Sequence, residues 1–521
     1  MWHSPSPSRI WNNSPLFSRS GANTSTGADN GSGSSFSFHH GDLTGPPLDP
    51  QPSVRPEDPL NWSWRKKHAV LFALIPGSLL SDWTLTWGTT VFQLQASEWN
   101  MAVEEVAQSV SPGIFMQGTG GILAVPLCQR YGRLPVLFWS QLLCLVCTIG
   151  AIHARSYTSF TAMRTLQGFF GAAPQVIGLS VVHDMFFFQE RTRKINIWAA
   201  SFLIGPYLGP FISSLLLLRL DWRDNFAVLA GFYGLSVAMV AFLGDETLFD
   251  RDGHDLLRAG LKVCGRPQPV SPGRRVALLL GVEGYRNRAA RPGLWTVFRH
   301  QCSLLGRPYL LLPTALFITP MTMWTIGLVT TMPQFVLPAT DEGGYGFSYV
   351  GLSMFYWAPM LGTLAAELWG HWFNDALAAR HMPRFGPESR LTAVYPGVAA
   401  AVAGLVLFGA TMQHRLHWAG LAFGWAMVCF GTLSCTTAVS AYALDCLPRH
   451  AASASAWINC WRVVGGFSVV YFQGAWVRSA GAGAAFGGQA AVIAAAAMAV
   501  VVAQVWGRSW RERYPAPAEE N

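Results

Sequence analysis

The sequence predicts an all-α polytopic membrane protein, with twelve transmembrane helices in two six-helix pseudo-symmetric bundles. Three observations carry that expectation. Of the 521 residues, 51% are hydrophobic and only 12% are charged, against roughly 25% charged in a typical soluble protein. The apolar excess, which includes 22 Trp and 32 Phe, lies in many runs long enough to cross a bilayer, which takes about 20 residues. Those runs fall into a set of six, a long polar connection, and a second set of six.

Residues 1–59 are rich in Ser, Gly, Asn and Pro and have no apolar period. They are expected to form a disordered cytoplasmic tail. No basic stretch leads into an apolar one there, so no cleavable signal peptide is expected. Asn23, Asn30 and Asn61 sit in glycosylation sequons but fall on the cytoplasmic side of the topology below, so they read as chance matches. His39-His40 reads as tail composition rather than a metal site.

The first bundle, residues 60–244, holds apolar runs at 69–92, 106–127, 134–153, 159–182, 195–218 and 225–244. A cytoplasmic middle loop follows at 245–308. The second bundle, 309–507, holds runs at 309–332, 348–370, 391–411, 416–444, 455–477 and 485–507, and a short cytoplasmic tail closes the chain at 508–521. Lys and Arg favour cytoplasmic connections. They cluster before the first run (Arg65, Lys66, Lys67), after the second (Arg130, Arg133), after the fourth (Arg191, Arg193, Lys194), in the middle loop, after the eighth (Arg380, Arg384, Arg390) and after the last (Arg508, Arg511, Arg513). Both termini should therefore be cytoplasmic, and the chain is expected to be a multi-pass protein of the plasma membrane, with the vacuolar membrane as the alternative.

Several function classes recede. The net charge of +8 is spread over short connections, whereas a nucleic-acid binder gathers its bases on one face, so no nucleic-acid partner is expected. The nine Cys lie mostly in apolar runs. Cys144 and Cys147 form a C-x-x-C inside such a run, where small hydrophobic packing residues are expected rather than a metal or redox pair. No Walker A pattern is present, which argues against direct drive by ATP. His371, His381, His414, His417 and His450 are scattered, so no membrane enzyme, metal site or cofactor is expected. No filter motif or ring of acids suggests a channel. Paired sets of spans place a substrate site near mid-membrane between them, exposed alternately to either side. The expected partners are a small organic substrate, protons and the lipid bilayer, with the chain acting as a monomer.

The connection between the second and third runs reads Cys128-Gln-Arg-Tyr-Gly-Arg-Leu-Pro. It resembles the G-x-L-a-D-R-x-G-R-[KR] loop of the major facilitator superfamily, with Arg130, Gly132 and Arg133 matching and Gln129 in place of the acid. The resemblance implies a cytoplasmic gate at these residues. Arg164-Thr-Leu-Gln-Gly-Phe-Phe-Gly-Ala-Ala in the fourth run resembles the family's R-x-x-q-G-x-g-a-a motif, whose arginine is tied to proton coupling in antiporters. Gly205-Pro206-Tyr-Leu-Gly209-Pro210 is similar to the g-x-x-x-G-P-x-x-G-G helix-packing and hinge motif of the drug:proton antiporter branch. A fungal group in that branch is resembled by Asp58-Pro-Leu-Asn-Trp-Ser, Gly344-Tyr-Gly-Phe-Ser, Glu367-Leu-Trp-Gly-His-Trp-Phe-Asn-Asp, Pro387-Glu-Ser-Arg-Leu, Tyr442-Ala-Leu-Asp-Cys-Leu-Pro, and Arg462-Val-Val-Gly-Gly-Phe with Tyr471-Phe. That group includes multidrug and secondary-metabolite exporters as well as polyamine and organic-cation carriers.

Asp82 stands out because it lies well inside the first run. A carboxylate at membrane depth costs at least about 3 kcal/mol on insertion scales, so it needs a partner, a cavity or a proton. At about 1.5 Å per residue it lies ~21 Å from His68 and, in a core of about 30 Å, ~9 Å from the outer face. Arg164, on a run that heads inward, comes to the same ~9 Å. In the resembled fold the first, fourth, seventh and tenth spans line the cavity. Asp82 and Arg164 are therefore expected to pair in the empty site and to separate on protonation or arrival of a cation. Trp83, Trp87, Gln167, Gln175, Trp324, Thr325, Thr436, Ser440 and Tyr442 are candidate cavity residues, and Trp faces beside an acid would suit a cationic or amphipathic compound. Glu367 is expected near the cytoplasmic end as a gate, paired with Arg462. Asp184 and Asp445 read as interface charges.

The resulting expectation is a proton-coupled secondary transporter that exports a drug or secondary metabolite. Proton-linked uptake of polyamines or other organic cations is one alternative. A transporter-like receptor without turnover is another.

Overall fold

The computed structural model describes residues 57–249, 272–340, 344–381, 386–447 and 450–515. Most of the N-terminal tail, with Asn23, Asn30 and His39-His40, and much of the middle loop lie outside them. The described residues form helices and no strand. Twelve long elements run in succession. They are α1 (Trp64–Trp87), α2 (Ser111–Tyr131), α3 (Arg133–Ile152), α4 (Tyr157–Met185), α5 (Phe188–Leu216), α6 (Trp222–Leu243), α7 (Pro308–Val336), α8 (Tyr349–Phe355 continued by Trp357–His381), α9 (Val394–Gln413), α10 (Trp418–Cys446), α11 (Ala451–Ala480) and α12 (Ala482–Arg513). Ten of them are apolar enough over a sufficient length to cross a membrane. The other two, α8 and α11, carry polar residues within their spans, among them Glu367, Asn459 and Arg462.

Local chemistry explains where these helices begin and break. Ser63 caps α1 by accepting from the Lys66 amide, a preferred use of Ser at a helix start. α4 breaks between Gly171 and Ala173, just before Pro174. Proline supplies no N–H and its ring crowds the preceding turn. Hydroxyls of α1 hold this break, since Ser81 Oγ donates to the Gly171 carbonyl at 2.6 Å and Ser78 Oγ to that of Pro174 at 3.3 Å. α7 contains a π-helical stretch, Leu312–Ile318, around Pro313. α11 starts at Ala451 and α5 at Phe188, earlier than their apolar runs suggest, and this shifts Arg462 deeper along its helix.

One end of the bundle carries the α2–α3, α4–α5, α8–α9 and α10–α11 connections and is rich in bases; it is called the basic end below. At this end Lys66 pairs with Asp245 at 2.6 Å, Arg511 with Glu388 at 2.6 Å, Arg133 with Asp184 and Arg390 with Asp445. At the opposite end Arg223 pairs with Glu98 at 2.6 Å and Arg478 with Glu104 at 2.5 Å.

Among the first six helices, α1 and α5 pack closely. A Cβ on Gly205 would lie 2.7 Å from the Leu79 carbonyl, and one on Gly209 2.7 Å from that of Trp83, so both positions require glycine for backbone-on-backbone contact. The first six and last six helices meet along two seams. In one, Gly118 and Gly121 of α2 face Val463 and Asn459 of α11. In the other, Ser353 Oγ of α8 donates to the Phe211 carbonyl of α5 at 2.9 Å, and the Phe211 and Trp357 rings meet edge to face at 5.7 Å.

Candidate functional site

A central cavity lies between these seams. It is walled by α1 (Asp82, Leu85, Thr86), α2 (Ile114, Gln117), α5 (Leu203, Pro206, Tyr207), α7, α8 (Thr363), α10 and α11 (Arg462, Val463). Much of the wall is aliphatic. The rest is hydroxyl-rich, with Thr322, Thr325, Thr330, Thr432 and Thr436 from α7 and α10.

Asp82 is 4% exposed. Arg462 reaches it from α11 with Nη1 at 2.9 Å from Oδ2 and Nη2 at 3.2 Å from Oδ1. Gln117 Nε2 donates to Oδ1 at 2.6 Å and Gln175 Nε2 to Oδ2 at 3.2 Å. Both carboxylate oxygens are thus shared between a forked guanidinium and two amides, an arrangement that fills about four lone-pair positions. The pair joins residues 380 positions apart in the chain and spans from the first six helices to the last six. Asn459, one turn before Arg462, holds the guanidinium from behind at 3.1 Å. Tyr207 of α5 crosses the same interface, accepting from the Cys429 thiol at 3.1 Å and packing edge-on to Trp425. Two polar atoms of the wall, Thr436 Oγ1 and Gln117 Oε1, are buried with no hydrogen-bond partner among the described residues.

This geometry corrects the expected pairing of Asp82 with Arg164. Arg164, 2% exposed, donates instead to the carbonyls of Thr84 at 2.8 Å and Leu85 at 2.9 Å and to Gln167 Oε1 at 3.0 Å. Its guanidinium lies over the Phe226 ring. The carbonyls of the last helical turn have no intrahelical donor, so Arg164 caps the far end of α1, beyond Asp82. The two residues are not neighbours, because Arg164 binds the end of α1 beyond Asp82 while the Asp82 carboxylate is held from α2, α4 and α11. Arg462 is likewise not the partner of Glu367. α11 begins four residues before its apolar run, and Arg462 lies about eleven residues, or ~16 Å, inside it.

Of the expected cavity residues, Thr325 and Thr436 line the cavity, and Thr325 Oγ1 lies 2.7 Å from Thr432 Oγ1. Gln175 acts just behind the wall through Asp82. The others are elsewhere. Trp83 and Trp87 stack on each other in the core of the first six helices. Gln167 is held by Arg164 and by Thr148 Oγ1, to which it donates at 2.5 Å. Trp324 packs with Phe472 and Trp476. Tyr442 is buried near Gly507 of α12 toward the basic end. Ser440, two residues before it, is not part of the wall. Gln117, Tyr207, Thr432 and the true partner of Asp82 were missed. For Gln117 a signal existed, a lone amide in the otherwise apolar stretch Ile114–Gly118.

At the basic end the Arg130–Arg133 segment is held from several sides. Gly132 has φ 106°, a conformation that favours glycine, and a Cβ there would strike Glu246 Oε2. Glu246 caps α3 by accepting from the amides of Arg133 at 3.0 Å and Leu134 at 3.2 Å. Burial raises its carboxyl pKa, and the amides of Leu248, Arg133 and Leu134 and the Arg133 charge oppose that rise. Arg133 pairs with Asp184 and donates to the Ser180 carbonyl at 3.0 Å. The acid absent at Gln129 is thus supplied by Asp184 and Glu246. Arg130 donates to the Pro292 carbonyl at 3.3 Å. Glu367 is half-buried on α8.

A bundle of spanning helices closing over a central, hydroxyl-rich cavity with one buried ion pair defines a multi-pass membrane carrier for small molecules rather than an enzyme. The Major Facilitator Superfamily pattern matches residues 74–470, and the chain belongs to that family. Among known proteins it is 25% identical over 424 residues to the MFS-type transporter penM of Penicillium rubens, covering 79% of this chain and 78% of that one. It is 24% identical over 403 residues to the probable efflux pump mfs2 of Aspergillus flavus, covering 74% and 89%. Its fold is similar to that of the xylose transporter XylE from E. coli in a partially occluded, inward-open conformation, with a TM-score of 0.56 and 11% identity, covering 87% of this chain and 100% of that one.

Proposed function

We propose that this carrier exports a small organic compound, a drug or secondary metabolite, in exchange for protons. In this reading Asp82 carries the proton and Arg462 is its alternating counter-charge. The observation that bears the proposal is the Asp82–Arg462 pair, which ties α1 to α11 across the cavity. A buried pair persists only while both groups are charged, because removing one charge strands the other. Protonation of Asp82 would therefore release a tie between the two sets of helices, which is the event alternating access needs. The efflux-pump name of a relative supports the outward direction. The base-rich end supports cytoplasmic termini, and in this reading the Arg130–Arg133 segment belongs to the cytoplasmic gate.

The cavity favours a neutral or weakly polar, hydrogen-bonding cargo over a polyamine. Asp82 already has its cation, and the tryptophans that would have favoured a cationic compound pack in the helix cores. The test uses vesicles reconstituted with the chain and loaded with a pH-sensitive dye, challenged with neutral, cationic and anionic organic compounds. The proposal expects neutral compounds to move against their gradient when the receiving side is acid, with protons moving the other way. Movement that ignores the pH gradient overturns proton coupling, and binding without any flux would favour a receptor.

A further inference from the structure

We propose that the bundle holds one anionic phospholipid on its flank, with an acyl chain in a slot between α2, α3 and α4 and the headgroup on arginines of the middle connection. The slot is separate from the central cavity. Its walls are Gly120, Leu123 and Leu127 of α2, Val136 and Trp139 of α3, and Phe169 and Phe170 of α4. It runs along α2 from Gly120 to Tyr131, eleven residues or ~16 Å. That is about the hydrocarbon depth of one leaflet, half of a core of about 30 Å. The slot fits a single acyl chain lying along the bundle.

The end of the slot lies at the basic end and is closed by the middle connection. Leu280, Gly281 and Tyr285 complete its lining there. This part of the connection is fixed in place. Gly284 sits so close to α2 that a Cβ would lie 1.8 Å from the Tyr131 carbonyl. Arg291 Nη1 donates to the Arg130 carbonyl at 3.2 Å. Arg275 donates to the Ala241 carbonyl at the end of α6 at 2.8 Å.

Charge at this mouth favours an anion. Between residues 282 and 293 there are three arginines, Arg286, Arg288 and Arg291, and one acid, Glu283. That acid is paired with Arg274 at 3.2 Å. The Arg288 guanidinium stacks on the Tyr285 ring of the slot at 3.6 Å, and its Nη1 is buried with no hydrogen-bond partner among the described residues. An unpartnered guanidinium nitrogen at the headgroup end of a leaflet-long apolar slot is where a lipid phosphate or carboxylate would bind. Basic clusters beside spanning helices attract anionic lipids.

The test is native mass spectrometry of the full chain, stripped of bound lipid in detergent and then titrated separately with phosphatidylserine and phosphatidylcholine. The proposal expects one phosphatidylserine retained about tenfold better than phosphatidylcholine. Arg288→Ala should bring that ratio close to one, and Leu127→Trp should lower retention of both lipids by filling the slot. Arg286→Ala, at an exposed side chain, keeps the test usable if Arg288→Ala does not fold, and it should lower the ratio in the same direction. Equal retention of the two lipids by the unaltered chain overturns the proposal. So does a preference that survives in the arginine variants.

Discussion

Asp82 and Arg462 form a buried pair in which each group depends on the other. Removing one partner of such a pair destabilises by about 3–5 kcal/mol. Arg462→Gln should therefore lower the thermal unfolding temperature clearly, and the double variant Asp82→Asn with Arg462→Gln should recover most of that loss. If the two single effects simply add, the pair is not coupled. Arg164 separates a structural charge from the proposed switching one. Arg164→Ala strands the carbonyls of Thr84 and Leu85, each a buried acceptor worth about 1–3 kcal/mol. The expected result is lower stability with the pH profile of transport unchanged in the surviving protein. A shifted profile would return Arg164 to the coupling machinery. Asp82 was legible in the sequence because an acid in an apolar run has to be explained. Its partner was not, because the start of α11, and with it the depth of Arg462, was hidden, and because the direction a side chain faces is set by packing.

At the scale of elements, the contact between α1 and α5 depends on two glycines. Gly209→Ala places a methyl against the Trp83 carbonyl and should force the helices apart, lowering the unfolding temperature. Gly231, whose surroundings are open, serves as the control, and Gly231→Ala should change little. The loops at the end opposite the basic one carry a pH-sensitive tie. The Arg223 guanidinium holds the Glu98 carboxyl below its ordinary range, the Trp222 indole adds to this, and burial opposes it. A lowered carboxyl pKa gives stability that is present above the unfolded value and lost as pH falls through the folded one. This tie should be intact at pH 7 and lost only as pH falls below the ordinary Glu range. Glu98→Gln should remove that acid-dependent part of the unfolding curve, and an unchanged curve would deny it. Most helices were readable from their apolar runs. The early starts of α5 and α11 were not, because α5 opens on a polar turn and α11 on small Ala and Ser residues outside the strongly apolar run, and so Arg462 was placed too near the end. The hinge-like motif at Gly205–Pro210 was readable as a motif, and its geometry is that of close packing.

For the whole molecule, the arrangement as a twelve-helix carrier was legible from composition and from the order of the runs. The central cavity was legible only in part, because the residues that fill it come from seven helices whose facing is set by tertiary contacts. The two seams, α2 with α11 and α5 with α8, hold the helix sets together around the proposed proton latch. Spin labels at Arg155→Cys and His414→Cys, with Cys264, Cys302 and Cys446 replaced by serine, report the distance between the α3–α4 and α9–α10 connections without any substrate. The remaining cysteines are buried in the structure. In the unaltered background the distance distribution should shift between pH 8 and pH 5, and Asp82→Asn should hold one distribution at both. The same pH-dependent shift in Asp82→Asn would contradict the latch.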